Sequence, residues 1–229
     1  MKIAFFDLDH TLLPLDTGDE WTHLLAKQLG PEAPKALEEA DAINEGYKRG
    51  QFDIDACMAF QLGLLARFPR VKLEAMREAF VDEMVRPRVK AAAIALVESA
   101  RQSGFHPVLA TGTHRFIAEA IAPLFGIEDV IAAEPEQTPD GEFTGRLVGS
   151  HSYQEGKLRL VKEYIARQQA QGEEISAIQA YSDSINDQSL LKFAQSHGEA
   201  FAVNPDPQLM RLAMEYHWPI VELFGKEEH

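Results

Sequence analysis

The sequence predicts an α/β fold: a doubly wound parallel sheet with a helical block inserted after its first strand. Three observations carry this. Ile3-Ala4-Phe5-Phe6 is a short continuous apolar run, as a strand buried on both faces of a parallel sheet requires. From about Leu15 to Val85, apolar residues recur at helical spacing and no strand pattern interrupts them. From Pro87 onward, strand-like and helix-like segments alternate, which implies right-handed crossovers.

Within the helical block, Trp21, Leu24, Leu25 and Leu29 share one face. Ile54, Met58, Leu62 and Leu65 share another, and Leu73, Met76, Phe80 and Met84 a third. Pro31 and Pro69 punctuate these helices, with Gly30 and Gly50 placed as caps. The next helix is expected from Pro87, as its first-turn residue, to Arg101. A strand follows at Pro107 to Thr111, a helix at Arg115 to Leu124, and a strand at Val130 to Ala133. Asp140-Gly141, between Thr138 and Phe143, is a hairpin-turn signal, so residues 134–149 are expected to form a short β-hairpin flap. A helix at Gly156 to Gln171, a strand at Ser176 to Tyr181, a helix at Ile185 to Phe193 and a last core strand at Ala200 to Val203 complete the reading. The expected division is a core of residues 1–14 and 86–229 and an inserted helical cap of residues 15–85.

The 229 residues suffice for one large α/β domain or a core with a small insert. With 45% hydrophobic and 25% charged residues the chain can bury a core. Acidic residues number 36 against 22 basic, a net charge of −14, which repels phosphate backbones and argues against nucleic-acid partners. The single cysteine, Cys57, excludes an internal disulfide and a Cys-only zinc site. No run of ~18 apolar residues is present, so no membrane span is expected. The first apolar stretch is too short for a signal-peptide core and is followed by acids, so the expected location is cytoplasmic.

Four polar clusters draw attention, three of them directly after a strand, where open α/β sheets bind ligands. Asp7 and Asp9 are two apart at the end of the first strand. One could face a substrate atom and the other its leaving group, or both could be solvated acids at a strand end. Thr111-Gly112-Thr113 offers a hydroxyl and flexible N–H groups that suit an oxyanion, although Thr113 could simply cap the next helix. Lys157 lies at a helix start, against the dipole, which favours a use for its charge over an ordinary surface lysine. Asp183 and Asp187 flank Ser184-Ile185-Asn186; alone, Asp183 or Ser184 reads equally well as a helix cap. Together the acidic pairs need a cation or protonation, because two carboxylates ~4 Å apart repel by about 4 kcal/mol at an effective dielectric of 20. Oxygen ligands with few protein donors suit Mg²⁺. An EF-hand fails: the required Gly and Glu positions hold Leu12 and Gly18 counted from Asp7, and Gln188 and Ala194 counted from Asp183. A P-loop fails too, with His151 at its first glycine and Leu158 after the lysine. His10, His114 and His151 read as structural histidines and Cys57 as packing. Trp21, Phe52 and Met58 are either pocket wall or core.

Asp7-Leu8-Asp9-His10-Thr11-Leu12 resembles the DxDx(T/V)L/V first motif of the haloacid dehalogenase superfamily. Thr111 closing an apolar strand resembles its second motif, Lys157 its third, and Ser182-Asp183-Ser184-Ile185-Asn186-Asp187 its fourth. The order covers essentially the whole chain, and the insert between the first two motifs is similar to the cap of the phosphoserine-phosphatase-like branch. The resemblance implies a Mg²⁺-dependent phosphomonoesterase. Asp7 would be the nucleophile that forms an aspartyl-phosphate, and Asp9 would protonate the leaving alcohol and then activate water. Asp7, the Asp9 main-chain carbonyl and Asp183 would hold the metal. Thr111, Gly112 and Lys157 would bind the phosphoryl oxygens, with Asn186 and Asp187 supporting.

Alternatives of other classes are a phosphotransferase or phosphomutase, and a non-enzymatic phospho-receiver. For the substrate, a small phosphorylated metabolite is expected. Asp16 stands where the phosphoserine phosphatases carry a Glu that reads the amino acid. Their cap Arg falls at Ala59, with Arg49 and Arg67 off that register. Phosphoserine would leave its carboxylate unpaired. Asp16 could instead face an amine or a hydroxyl, which leaves histidinol phosphate or another amino or hydroxy alcohol phosphate as a candidate substrate. Leu13-Pro14-Leu15 and Val85-Arg86-Pro87 are the expected hinges of a closing lid.

Overall fold

A computed structural model describes residues 1–225. The chain opens with β1 (Lys2–Phe6) and passes into four helices: α1 (Thr17–Lys27), α2 (Ala33–Lys48), α3 (Ile54–Leu65) and α4 (Arg70–Phe80). It returns through α5 (Ala91–Gln102), β2 (Phe105–Ala110), α6 (Arg115–Ile121) and β3 (Asp129–Ile131). The hairpin β4 (Glu134–Gln137) and β5 (Phe143–Val148) precedes α7 (Glu155–Ala170) and β6 (Ala177–Ser182). Then come α8 (Gln188–His197), β7 (Gly198–Val203), α9 (Pro207–Tyr216) and β8 (Ile220–Val221). The described residues form one six-stranded parallel sheet, ordered β3-β2-β1-β6-β7-β8, and the separate antiparallel hairpin β4-β5.

The order reverses between β1 and β6, so the loops after these two strands diverge and leave a crevice. Register brings their ends level: Phe6 pairs with Leu109 of β2 on one side and with Tyr181 of β6 on the other. Asp7, Thr111 and Asp183 therefore leave the sheet at one edge. Both faces of β1 are buried, as its apolar run requires. Ile3 and Phe5 pack with Val161 of α7 and Leu191 of α8, while Ala4 and Phe6 pack toward α5, α6 and the insert. Phe6, Tyr181 and Phe201 stack across three adjacent strands at 4.4 Å each. The insert shares that second core: Trp21 of α1 meets Phe80 of α4 and Phe116 of α6, with ring centres 5.5 and 6.1 Å away.

Several elements differ from the sequence reading. Helix α2 carried no apolar stripe because its buried residues are alanines, Ala36 and Ala40. Pro87 does not open α5. It lies in a 3₁₀ turn, Arg86–Arg88, that follows a π-helical turn, Val81–Val85, and α5 begins only at Ala91. The ring that could have started one helix instead ends another, because Pro87 has no N–H to continue the ladder. Beyond Val203 the chain adds α9 and a sixth strand, β8, whose two residues are too few to give a period. The helix expected at Ile185 starts as a 3₁₀ turn, Ile185–Asp187, and becomes α8 at Gln188.

The hairpin turns at Asp140-Gly141, as read, and lies against α3. Gly145 of β5 has φ +82°, and a Cβ there would stand 3.3 Å from the Ala66 Cβ and 3.4 Å from the Gly63 Cα. Gly145→Ala combines left-handed backbone, costing roughly 1–2 kcal/mol, with crowding against α3. It is expected to lower the thermal midpoint by about 3–8 °C. An unchanged midpoint would mean that the hairpin is not seated on the insert.

Candidate active site

The floor of the crevice is built around one ammonium group. Asp7 extends β1 by a further ladder bond, its N–H donating to the Tyr181 carbonyl at 3.0 Å, and this fixes where its carboxylate leaves the sheet. Lys157 projects from the first turn of α7 and is 4% exposed. Its Nζ donates to Asp7 Oδ1 at 2.9 Å and to Asp187 Oδ2 at 2.7 Å. Gly156 before it is obligatory, since a Cβ would collide with the carbonyl and ring of His151. Burial alone would pull the lysine's pKa down, but Asp187 and Asp7 outweigh it and hold the ammonium well above its usual range. Burial pushes the Asp7 carboxyl up to about 6, against the lowering pull of Lys157. Asp183 is raised well above its ordinary value by burial and then by the charge of Asp7. Thr11 holds it in place, donating from Oγ1 to Asp183 Oδ1 at 2.8 Å and accepting the Asp183 N–H at 2.9 Å. Asn204 Nδ2 donates to the His10 and Thr11 carbonyls, and His10 turns the loop with φ +56°. Ser182 donates to Asp187 Oδ2 at 2.7 Å.

Asp9 sits differently. Its Oδ1 accepts from the Thr17 N–H at 2.7 Å and the Thr17 hydroxyl at 2.6 Å, and its Oδ2 from the Thr113 hydroxyl at 2.7 Å. Thr113 is thus not a helix cap: α6 has His114 at its N-cap position and no side-chain cap bond. Thr111 is fully buried behind the cavity wall, its Oγ1 accepting the Thr113 N–H at 3.1 Å, which leaves its own proton to donate. Gly112 and Thr113 form the wall itself.

The cavity holds about 200 Å³ between this floor and the insert. Asp7, Asp9, Lys157, Asp183, Asn186 and Asp187 line the core side, and Asp16, Asp19, Asn44, Tyr47, Phe52 and Met58 line the cap side. Trp21 is core, while Phe52 and Met58 are wall. Among the described residues, Lys157 is the one Lys or Arg on the lining. Ala59 is exposed, Arg67 pairs with Glu32, and Arg49 bonds the Glu45 carbonyl. Of the histidines, His10 reaches the lining. His114 is buried, and burial drops its pKa to about 4, so it is neutral. Cys57 touches the cavity, but burial pushes its thiol up to about 12, which keeps it protonated. Thr17, Thr113, Tyr47 and Tyr153 were not singled out for these contacts by the sequence; only the fold brings them to the acids.

Among the described residues no three His, Cys, Asp or Glu side chains form a ready-made metal cage. The donor set available is two carboxylates, Asp7 and Asp183, both raised by burial and so short of positive charge. With the Asp9 carbonyl, that set fits a small hard cation that keeps several waters. No helix of the described residues is long and apolar enough to cross a membrane.

The profile of the haloacid dehalogenase-like hydrolases matches residues 4–192. The chain belongs to that family. It is similar to a histidinol-phosphatase of Neisseria meningitidis serogroup C, 32% identical over 96% of this chain and 98% of that one. It is also similar to the phosphoserine phosphatase SerB1 of Mycobacterium tuberculosis, 29% identical over 95% and 69%. A solved structure of a protein of unknown function from Bordetella pertussis Tohama I superposes with a TM-score of 0.88 at 35% identity, covering 97% of this chain and 99% of that one. Within the family this hydrolase is a phosphatase of the phosphoserine-phosphatase-like branch.

The phosphatase's Asp9 gives a pH test. Burial, and then the charge of Asp16, raises its carboxyl from 3.8 to about 7, while the Thr17 bonds lower it. A folded-state pKa above the unfolded one stabilises the protonated form, so this contribution is complete below pH ~4 and is lost as pH rises through ~7. Asp9→Asn cannot ionise. In chelator, its unfolding free energy relative to wild type is expected to climb by roughly 2–4 kcal/mol between pH 4 and 8. A difference independent of pH would rule this environment out.

Proposed function

We propose that this phosphatase hydrolyses a small organic phosphate monoester through a phosphoaspartate on Asp7, with Mg²⁺ as cofactor. The observation that carries the reading is Lys157 bridging Asp7 and Asp187 on the cavity floor. An ammonium on Asp7 Oδ1 keeps that carboxylate ionised and offers positive charge to a phosphoryl oxygen beside it. Asp7 attacks phosphorus through a carboxylate oxygen. The ester bond breaks, and the leaving alkoxide takes a proton from Asp9, whose pKa near 7 suits both giving and accepting it. Water then attacks phosphorus of the phosphoaspartate and gives its proton to Asp9, which frees inorganic phosphate and restores Asp7. Thr111 and the Gly112 backbone would bind phosphoryl oxygens together with Lys157. The metal would be held by Asp7, the Asp9 carbonyl and Asp183, and would offset phosphoryl charge. Asn186 and Asp187 support this floor. Residues 1–14 and 86–229 act as the catalytic core and 15–85 as its cap.

For the substrate we favour a phosphate whose other end carries a protonated nitrogen and no carboxylate, such as histidinol phosphate. The cap side of the cavity holds Asp16 and Asp19, while no arginine lines it among the described residues. A substrate carboxylate would be unpaired there, and an amine would not. The named relative from Neisseria supports the same choice.

Phosphate release from histidinol phosphate with Mg²⁺ is the direct assay. Asp7→Asn should lose roughly three or more orders of magnitude in kcat, and Asp9→Asn about 10²- to 10⁴-fold with an alkyl ester. Activity surviving Asp7→Asn would refute the mechanism. A kcat/KM for histidinol phosphate roughly 10- to 100-fold above that for phosphoserine is expected; the reverse order would sink the choice of substrate.

A further inference from the structure

The insert is fastened to the core at two sides of very different strength. At the back, Arg77 of α4 donates to the Phe116 carbonyl at 2.8 Å and stacks over the Phe116 ring, with Glu119 at 3.3 Å. The Arg70 N–H donates to Glu142 at 2.8 Å, and its guanidinium lies over Phe116 and Phe143. Beneath these, insert and core share one apolar cluster. At the mouth the attachment is slight. Asn186 Nδ2 donates to Tyr47 Oη at 2.8 Å. The Tyr47 and Phe52 rings meet edge to face at 5.1 Å, and Phe52 meets Tyr153 at 5.2 Å. Tyr47, Phe52, Tyr153 and Asn186 all line the cavity, yet Tyr47 remains 42% exposed, which puts it at the rim.

On the core side these contacts land on the segment between Asp183 and Asp187. Asn186 has its whole amide engaged there. Its Oδ1 accepts from the Tyr153 hydroxyl at 2.9 Å and from Gln154 Nε2 at 3.0 Å, while its Nδ2 serves Tyr47. Ser184 in turn accepts the Asn186 N–H at 3.2 Å. One insert residue thus holds the side chain of Asn186, next to the two acids of the floor.

We propose that Tyr47 is a positioning residue of the active site: by holding Asn186 it fixes the 183–187 loop, and with Phe52, whose ring meets Tyr153 of the core, it forms the part of the insert that opens to admit substrate. The back of the insert stays seated. Opening then requires loss of one hydrogen bond and one ring contact, instead of swinging all of residues 15–85 about Leu13–Leu15 and Val85–Pro87. Tyr47 touches no reacting atom, and its effect runs through Asn186 to the placement of Asp183 and Asp187. This deepens the reading of the same site as a phosphatase's and rests on it for its kinetic arm alone.

Tyr47→Phe removes the hydroxyl and keeps the ring on Phe52. Two readouts on the full chain decide the matter. In amide exchange without any ligand, residues 184–187 are expected to exchange severalfold faster in Tyr47→Phe, with residues 70–77 and the hairpin 134–148 unchanged. Equal exchange at 184–187, or acceleration spread over the whole insert, overturns the proposal. In turnover of an aryl phosphate with Mg²⁺, kcat is expected to fall about three- to tenfold, the worth of a hydrogen bond, with KM moving less. The Tyr47→Phe/Asn186→Ala double variant should match Asn186→Ala alone, and effects that multiply as independent factors overturn action through Asn186. If wild type releases no phosphate at all, the hydrolytic reading fails, and the exchange comparison still decides the role of Tyr47.

Discussion

One buried ammonium organises the site. Lys157 stands 150 residues from Asp7 and 30 from Asp187, and it bonds both within 3 Å. Three segments must be in place before it can do so: the end of β1, the first turn of α7 and the turn after β6. Each is fixed for its own reason. Asp7 continues a ladder between two parallel neighbours, Gly156 lets α7 start against His151, and Ser182 and Thr11 brace the acidic loop. Removing the lysine would leave two buried carboxylates unpaired, a loss typically of 3–5 kcal/mol. The interaction that holds Asp7 is thus also one that closes the core of the fold at its sheet edge.

Asp7 and Asp9 share a motif but have opposite surroundings. Asp7 faces a cation. Asp9 faces three uncharged donors, supplied by Thr17 from the start of the insert and Thr113 from the loop after β2. No formal charge stabilises its ionised form, and Asp16 opposes it, so the carboxyl rises to about 7 while Asp7 rises to about 6. That division suits the roles proposed for them, a nucleophile that must be ionised and an acid that must hold a proton. It also ties Asp9 to the insert, because two of its donors, the Thr17 N–H and hydroxyl, belong to the first turn of α1.

Residues whose placement follows from strand direction were readable in advance. Asp7, Thr111 and Asp183 follow apolar runs directly, so the sheet alone carries them to one edge, and Lys157 declared itself by standing at a helix start against the dipole. Thr17, Thr113, Tyr47 and Tyr153 gave no such signal. A threonine before a helix reads as a cap whether its hydroxyl accepts from the backbone N–H groups of that helix or donates to a carboxylate 104 residues away. Tyr47 ends α2, whose small buried residues conceal its direction, and its partner Asn186 lies 139 residues further on. Pro87 and β8 failed for local reasons: a proline fits the first turn of one helix and the end of another, and two residues cannot display a strand period.

Charge sets the last constraint. The cavity lining carries Asp7, Asp9, Asp16, Asp19, Asp183 and Asp187 against a single lysine, on a chain of net charge −14. A phosphate dianion entering that field is repelled unless protons or a cation redress the balance. Lys157 is already committed to two carboxylates, so it cannot neutralise the dianion unaided. Burial, and then the charge of Asp7, raises Asp183 well above its ordinary value. On the cap side Asp16 caps α1 by accepting the Asp19 N–H at 2.8 Å, and Asp19 accepts from Asn44 Nδ2 at 3.0 Å with His23 Nδ1 3.2 Å away, off the lining. A divalent ion at the floor and a protonated nitrogen on the substrate at the cap would answer the two deficits separately. On the proposed reading, that pairing would let so acidic a cavity take an anion at one end and a cation at the other.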